Sequence, residues 1–162
     1  MGAALIYEPV ARDQNLQVFA VLIGAAFLIW GLRAVPNPRL ALRYHLNPRK
    51  TVADLIREWT PQPARLESEY ERSLHQFLKS KLPFERITRQ YGSGRIKCDL
   101  AIGTKVMLEL KNGLRTTSKL QRLLGQLDLY RGEWGRKPVI IVLLGTSEED
   151  LLHTLNGSLR KY

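Results

Sequence analysis

The chain has 162 residues, room for about one ordinary domain with a short appendage and too few for two full domains. Its 25 Lys and Arg outnumber 15 Asp and Glu, and the net charge of +10 points to an anionic partner, either nucleic acid or acidic lipid headgroups. The single cysteine, Cys98, excludes an internal disulfide and a cysteine-based zinc site, and it favours a reducing compartment.

Residues 1–13 read as a tail. From Gln14 to Leu32 the chain carries no charge, and from Val18 onward it is continuously apolar. As a helix, about 19 residues rise roughly 28 Å, close to the hydrocarbon thickness of a bilayer. Segment 14–33 is therefore expected to be a transmembrane helix. A cleaved signal peptide would want a basic start, whereas Glu8 and Asp13 stand here, so a retained anchor is the better reading. The alternative, a buried helix of a soluble core, lacks enough remaining chain to surround it. Arg33, Arg39, Arg43, Arg49 and Lys50 follow the run while Arg12 alone precedes it, which sets a single-pass orientation with the C-terminal domain cytoplasmic.

Residues 34–62 form a basic connector punctuated by Pro36, Pro38 and Pro48. Within it, Thr51-Val-Ala-Asp54 resembles a capping box opening a short helix with Val52, Leu55, Ile56 and Trp59 on one face, to pack on the domain or lie on the membrane. The domain proper is expected over 63–162. After Thr60-Pro-Gln-Pro63, a stripe of Leu66, Tyr70, Leu74, Phe77, Leu78 and Leu82 marks a helix ending at Pro83. The period then changes to two over Phe84 to Tyr91, Arg95 to Ile102 and Lys105 to Leu110, with glycine-containing turns between. Thr116 to Tyr130 returns to helical spacing, Pro138 to Leu144 reads as a buried strand, and Ser147-Glu-Glu-Asp150 starts a last helix. The order is α-β-β-β-α-β-α, an α/β fold.

Strand alternation places Met107, Glu109 and Lys111 on one face and Val106, Leu108 and Leu110 on the other. A three-residue loop of Gly103, Thr104 and Lys105 would pair Ile102 with Val106 and hence Asp99 with Glu109, while a two-residue loop would make that contact diagonal. Opposed carboxylates destabilise a sheet unless a cation or proton compensates them. A hard divalent ion would do so, with the Leu110 backbone carbonyl as a third oxygen ligand. Lys111 could then orient or deprotonate a water and offset phosphate charge.

In these residues and this element order, about Leu66 to Tyr162 resembles the PD-(D/E)xK nucleases, the family of restriction endonucleases, Holliday-junction resolvases and RecB-type nuclease domains. The resemblance implies a restriction-endonuclease-like core with a mixed central sheet. It also implies a metal-binding Asp at Asp99, the (D/E)xK element at Glu109-Leu-Lys111, and a first-helix acid at Glu71, with Glu67 second. Gln126-Leu-Asp-Leu-Tyr130 fits the Gln-x-x-x-Tyr motif of RecB-like members, its two ends sharing a helix face. Lys97-Cys98 stands before Asp99 where the family often has Pro. The implied activity is Mg²⁺-dependent phosphodiester hydrolysis, with Mn²⁺ able to substitute, on nucleic acid and in the first instance DNA. Arg86, Arg89, Arg95, Lys97, Arg115, Lys119 and Arg122 are candidates for phosphate contacts. The expected protein is thus a membrane-anchored endonuclease. The alternative is an inactive nuclease-like domain that tethers DNA to the membrane, and an oligomer is left open.

Overall fold

The computed structural model describes residues 37–94, 96–135 and 137–160. The expected tail, transmembrane helix and start of the connector lie outside the described residues, as does Arg95. Among the described residues there are five helices and four strands: α1 (Pro38–Leu46), α2 (Pro48–Glu58), α3 (Glu67–Lys81), β1 (Ile87–Ser93), β2 (Ile96–Ile102), β3 (Val106–Asn112), α4 (Thr117–Trp134), β4 (Val139–Leu144) and α5 (Glu149–Leu159). No helix among them is long and apolar enough to cross a membrane.

Asn47 separates α1 from α2 and caps the second, its side chain accepting from Lys50 N at 3.1 Å. Pro48 sits at the first helical position, where its fixed φ suits the helix and its missing N–H is no loss. The cap is thus four residues earlier than the Thr51 box expected from sequence. Thr51 lies a turn inside α2, buried, and its hydroxyl donates back to the Asn47 carbonyl at 2.9 Å.

Both helices close the main core. Tyr44 of α1 and Val52, Leu55 and Trp59 of α2 cluster with Leu74, Leu78 and Leu82 and with the sheet residues Leu100, Ile102, Val106, Leu108, Leu110, Val142 and Leu144. Tyr44 also donates to the Ile102 carbonyl at 3.2 Å, and Trp59 Nε1 to Ser73 Oγ at 3.2 Å. Core membership therefore begins in the segment that the sequence suggests is a connector. A fragment starting at Thr51 is expected to be less stable than one starting at Asn37 by about 3–5 kcal/mol, the usual cost of removing a large aromatic side chain from a core. Urea unfolding of the two fragments measures the difference.

The sheet has the order β1-β2-β3-β4, antiparallel through β3 and parallel between β3 and β4. β1 begins at Ile87, not Phe84, because Glu85 N donates to the Leu82 carbonyl and keeps the chain in a turn after Pro83. The second face of the sheet carries Ala101 and Met107 and is covered by Leu120, Leu123, Leu127 and Tyr130 of α4, with Leu155 of α5. α4 starts at Thr116, whose hydroxyl accepts from Lys119 N. It runs one turn past Tyr130 to Trp134, which stacks on Tyr130 with ring centroids 4.6 Å apart.

One irregularity organises the rest. Ile87 packs in the first cluster but Tyr91 in the second, and Leu100 in the first but Cys98 in the second, although two or four residues apart should share a face. Both strands change faces at the same place, Gln90 opposite Asp99. Gln90 is the non-glycine residue there with positive φ, +49°. The β1–β2 pairing resumes in the same register beyond it, from Tyr91↔Cys98.

Candidate functional site

β2 and β3 pair at Ile102↔Val106, Ala101↔Met107 and Leu100↔Leu108, the register that a three-residue Gly103–Lys105 loop imposes. The ladder stops there. Continued, it would set Asp99 against Glu109, as the sequence suggests; instead the strands part after Leu100. Asp99 turns its carboxylate into the opening, where Oδ2 accepts from Leu110 N at 2.7 Å. That bond replaces the one a continued β2 would have made to β3. N–H and C=O of one strand residue point the same way, so the Leu110 carbonyl faces the same opening.

Glu109 stays on the α4 face and is 1% exposed. Lys111 Nζ donates to its Oε1 at 2.5 Å, and the Tyr130 hydroxyl lies 2.6 Å from its Oε2. The same hydroxyl lies 2.6 Å from the Lys97 carbonyl, so one phenolic proton serves two acceptors. Burial, then the bond to Glu109 and its charge, raise the Tyr130 pKa. For Lys111, burial alone would lower the ammonium pKa. The hydrogen bond to Glu109 and the charges of Glu109, Glu67 and Asp99 outweigh it, and the net shift is upward. The Asp99 carboxyl is pushed up to about 6, first by burial and then by the Glu109 charge.

The two first-helix acids divide their roles. Glu67 reaches Lys111, with Oε1 3.6 Å from Nζ, while its Oε2 accepts from Asn112 N at 3.0 Å. Glu71 is 5% exposed and accepts from Arg89 Nε at 2.7 Å and from Gln90 Nε2 at 3.0 Å. Gln90 Nε2 also lies 3.4 Å from Asp99 Oδ1, so Glu71 is joined to Asp99 through Gln90. Sequence reading had no signal for Gln90, since nothing in a Thr-Arg-Gln-Tyr strand marks a left-handed residue. On α4, Gln126 lies one turn before Tyr130, and its buried Oε1 has no partner among the described residues.

Of the basic candidates, Arg89 is committed to Glu71, and Lys119 Nζ donates to the Asn112 and Gly113 carbonyls just beyond Lys111. Arg115 donates to the Thr146 carbonyl, and Arg86, Lys97 and Arg122 are exposed.

Among the described residues no three His, Cys, Asp or Glu gather as a metal cluster. The oxygen donors on this stretch of β2 and β3 are the Asp99 and Glu109 carboxylates and the Leu110 carbonyl, a set of the type a hard divalent cation takes alongside waters and phosphate. Burial and then the Glu109 charge raise the Asp99 pKa further than the Leu110 N–H and the Lys111 charge lower it, so the carboxylate is under-compensated without a cation. The residues fit such an ion. Replacing Gln90 by glycine is expected to change the melting temperature little, because relief of left-handed backbone, about 1–2 kcal/mol, offsets the lost bond to buried Glu71, about 1.5–3 kcal/mol. Mn²⁺ affinity, read by calorimetry, should nonetheless fall about 10–100-fold, the usual effect of losing a group that orients a ligand. Unchanged affinity would remove Gln90 from the site.

Compared with known proteins, the chain matches no family model, no curated protein and no solved structure.

Proposed function

We propose that the protein is a membrane-anchored, divalent-metal-dependent endonuclease of PD-(D/E)xK type, with DNA as substrate and a restriction-endonuclease-like core. The observation that carries the reading is the parting of β2 from β3 at Leu100, where Asp99 accepts from Leu110 N while Glu109, one residue earlier on β3, holds Lys111. A structural sheet has no need of two carboxylates there.

Asp99, Glu109 and the Leu110 carbonyl would hold Mg²⁺ or Mn²⁺. When bound, that ion supplies a water of lowered pKa and a positive charge for the phosphoryl oxygens. Lys111, held as an ammonium by its neighbours, donates rather than accepts: it orients a water and offsets charge on the phosphate. Tyr130 and Lys111 grip the two oxygens of Glu109 and fix its direction. Gln90, backed by Glu71 and Arg89, does the same for Asp99. The uncharged run from Gln14 to Leu32 would be the anchor, with the domain on the cytoplasmic side.

The test is cleavage of plasmid and branched DNA by the full chain in detergent with Mg²⁺, Mn²⁺ or EDTA, beside Asp99→Asn. Metal-dependent cutting that the substitution abolishes supports the nuclease. Salt-sensitive binding without cutting would assign the domain to DNA tethering instead.

A further inference from the structure

At 3.6 residues per turn, α1 puts Leu40 and Tyr44 toward the core and Arg39, Leu42 and Leu46 on the opposite side. Leu42 is 60% exposed and Leu46 78%, the two most exposed large apolar side chains of the first two helices. Single exposed leucines are ordinary, but these are one turn apart on one helix face. Exposed cations surround them: Arg39 on the same face, and Arg49 and Lys50 at the start of α2. None of the three is in an ion pair among the described residues, whereas Arg43 is bound to Asp54 at 2.9 Å. Apolar residues flanked by free cations are the composition of a surface that lies in the interface of an anionic bilayer.

Chain connectivity puts that surface where it would meet one. Leu32, the end of the apolar run, is six residues from Pro38, where α1 begins. Six residues span at most roughly 20 Å, whatever their conformation. We propose that the outer face of α1, with Leu42, Leu46, Arg39, Arg49 and Lys50, docks the domain on an anionic membrane surface. This goes beyond the nuclease reading, and it rests on the anchor reading for its geometry.

The consequence is an orientation. α1 is fixed to the β2–β3 turn: Tyr44 donates to the Ile102 carbonyl, and Lys105 Nζ lies 5.0 Å from the Tyr44 ring centroid and donates to His45 Nδ1 at 2.9 Å. Glu109 and Lys111 are four and six residues further along β3, roughly 13–20 Å at the rise of a strand. Docking through α1 would therefore seat the turn end of β3 at the bilayer and hold the carboxylate end away from it.

The experiment labels Leu46→Cys with an environment-sensitive fluorophore in the full chain. The native Cys98 is buried, and its thiol is pushed up to about 12, so it leaves the label to position 46. The chain is reconstituted into vesicles of phosphatidylcholine alone or mixed with phosphatidylglycerol, and quenching by brominated acyl chains is read. We expect strong quenching in the anionic vesicles and little in the neutral ones. Arg39→Glu, Arg49→Glu or Lys50→Glu should each lower the docked-to-undocked ratio at least about fivefold, the weight of one basic residue near such a surface. A label that stays water-exposed in both vesicles overturns the proposal. So does label-to-label contact in lipid-free detergent, which would give the face to a second copy. Carbonate extraction tests the anchor separately: a chain that resists extraction with a wet label keeps the anchor and loses the docking. One that is extracted by carbonate yet quenched beforehand in anionic vesicles keeps the docking and loses the anchor.

Discussion

An Asp99→Asn variant is expected to lose metal-dependent cleavage by more than about 10²-fold, the upper end of what removing a mere supporting group does to a metal site. In EDTA at neutral pH the same variant should melt at a higher temperature than the unaltered chain. Both effects have one cause. Asp99 stands in a half-buried opening facing the charge of Glu109, and its ionised form is disfavoured until a cation arrives. Asparagine keeps an oxygen for the Leu110 N–H and carries no charge. The predicted trade of stability for activity distinguishes a ligand from a structural residue, whose loss would lower both.

The pH dependence follows with a definite sign. Asp99 has its folded pKa raised from 3.8 to about 6, so between those values the folded state holds a proton that the unfolded state has released. Its contribution to stability is fully present below about pH 4 and is lost as pH rises through about 6. The advantage of Asp99→Asn over the unaltered chain should accordingly grow from pH 4 to 7, by on the order of 1–3 kcal/mol. Adding Mg²⁺ at pH 7 should close the gap by raising the unaltered chain alone. Thermal melts at the two pH values with and without Mg²⁺ measure all of this, and a gap constant with pH would detach the site from Asp99.

Much of this arrangement was legible because it depends on local pattern. The three-residue loop at Gly103 fixed the β2–β3 register, and alternation along β3 put Glu109 and Lys111 together. The helix face shared by Gln126 and Tyr130 follows from spacing alone, and Tyr130 meets Glu109. What sequence could not convey was where a ladder ends. Parting after Leu100 coincides with Gln90 adopting φ +49° opposite Asp99 in the neighbouring strand, a feature with no local signature. The same limit hid the division between Glu67 and Glu71, which are one turn apart and equally placed by helical period. Only the assembled sheet shows that Glu71 meets Arg89 and Gln90 of β1 while Glu67 meets Lys111 of β3. In the connector α2 packs on the domain, one of the two placements open from sequence, but it starts at Asn47-Pro48, a stronger helix start than Thr51, and Tyr44 of α1 joins the same core.

Lys111→Ala is expected to reduce cleavage by about 10²–10⁴-fold, the range for removing a positioned proton-transfer or charge-stabilising group. It should also destabilise the domain by about 3–5 kcal/mol, because it strands a carboxylate that is 1% exposed. With the ammonium gone, Glu109 keeps only Tyr130, whose proton is contested by the Lys97 carbonyl. Loss of activity could then reflect loss of fold, so the informative partner is the double variant Lys111→Met with Glu109→Gln. That pair retains the volume and removes both charges, and breaking a buried ion pair costs far more than replacing it whole. The double variant should recover most of the stability while its cleavage stays lost. Recovery of both would make the pair structural, and unchanged cleavage in Lys111→Ala would sink the nuclease assignment itself, since no other lysine reaches Glu109 among the described residues.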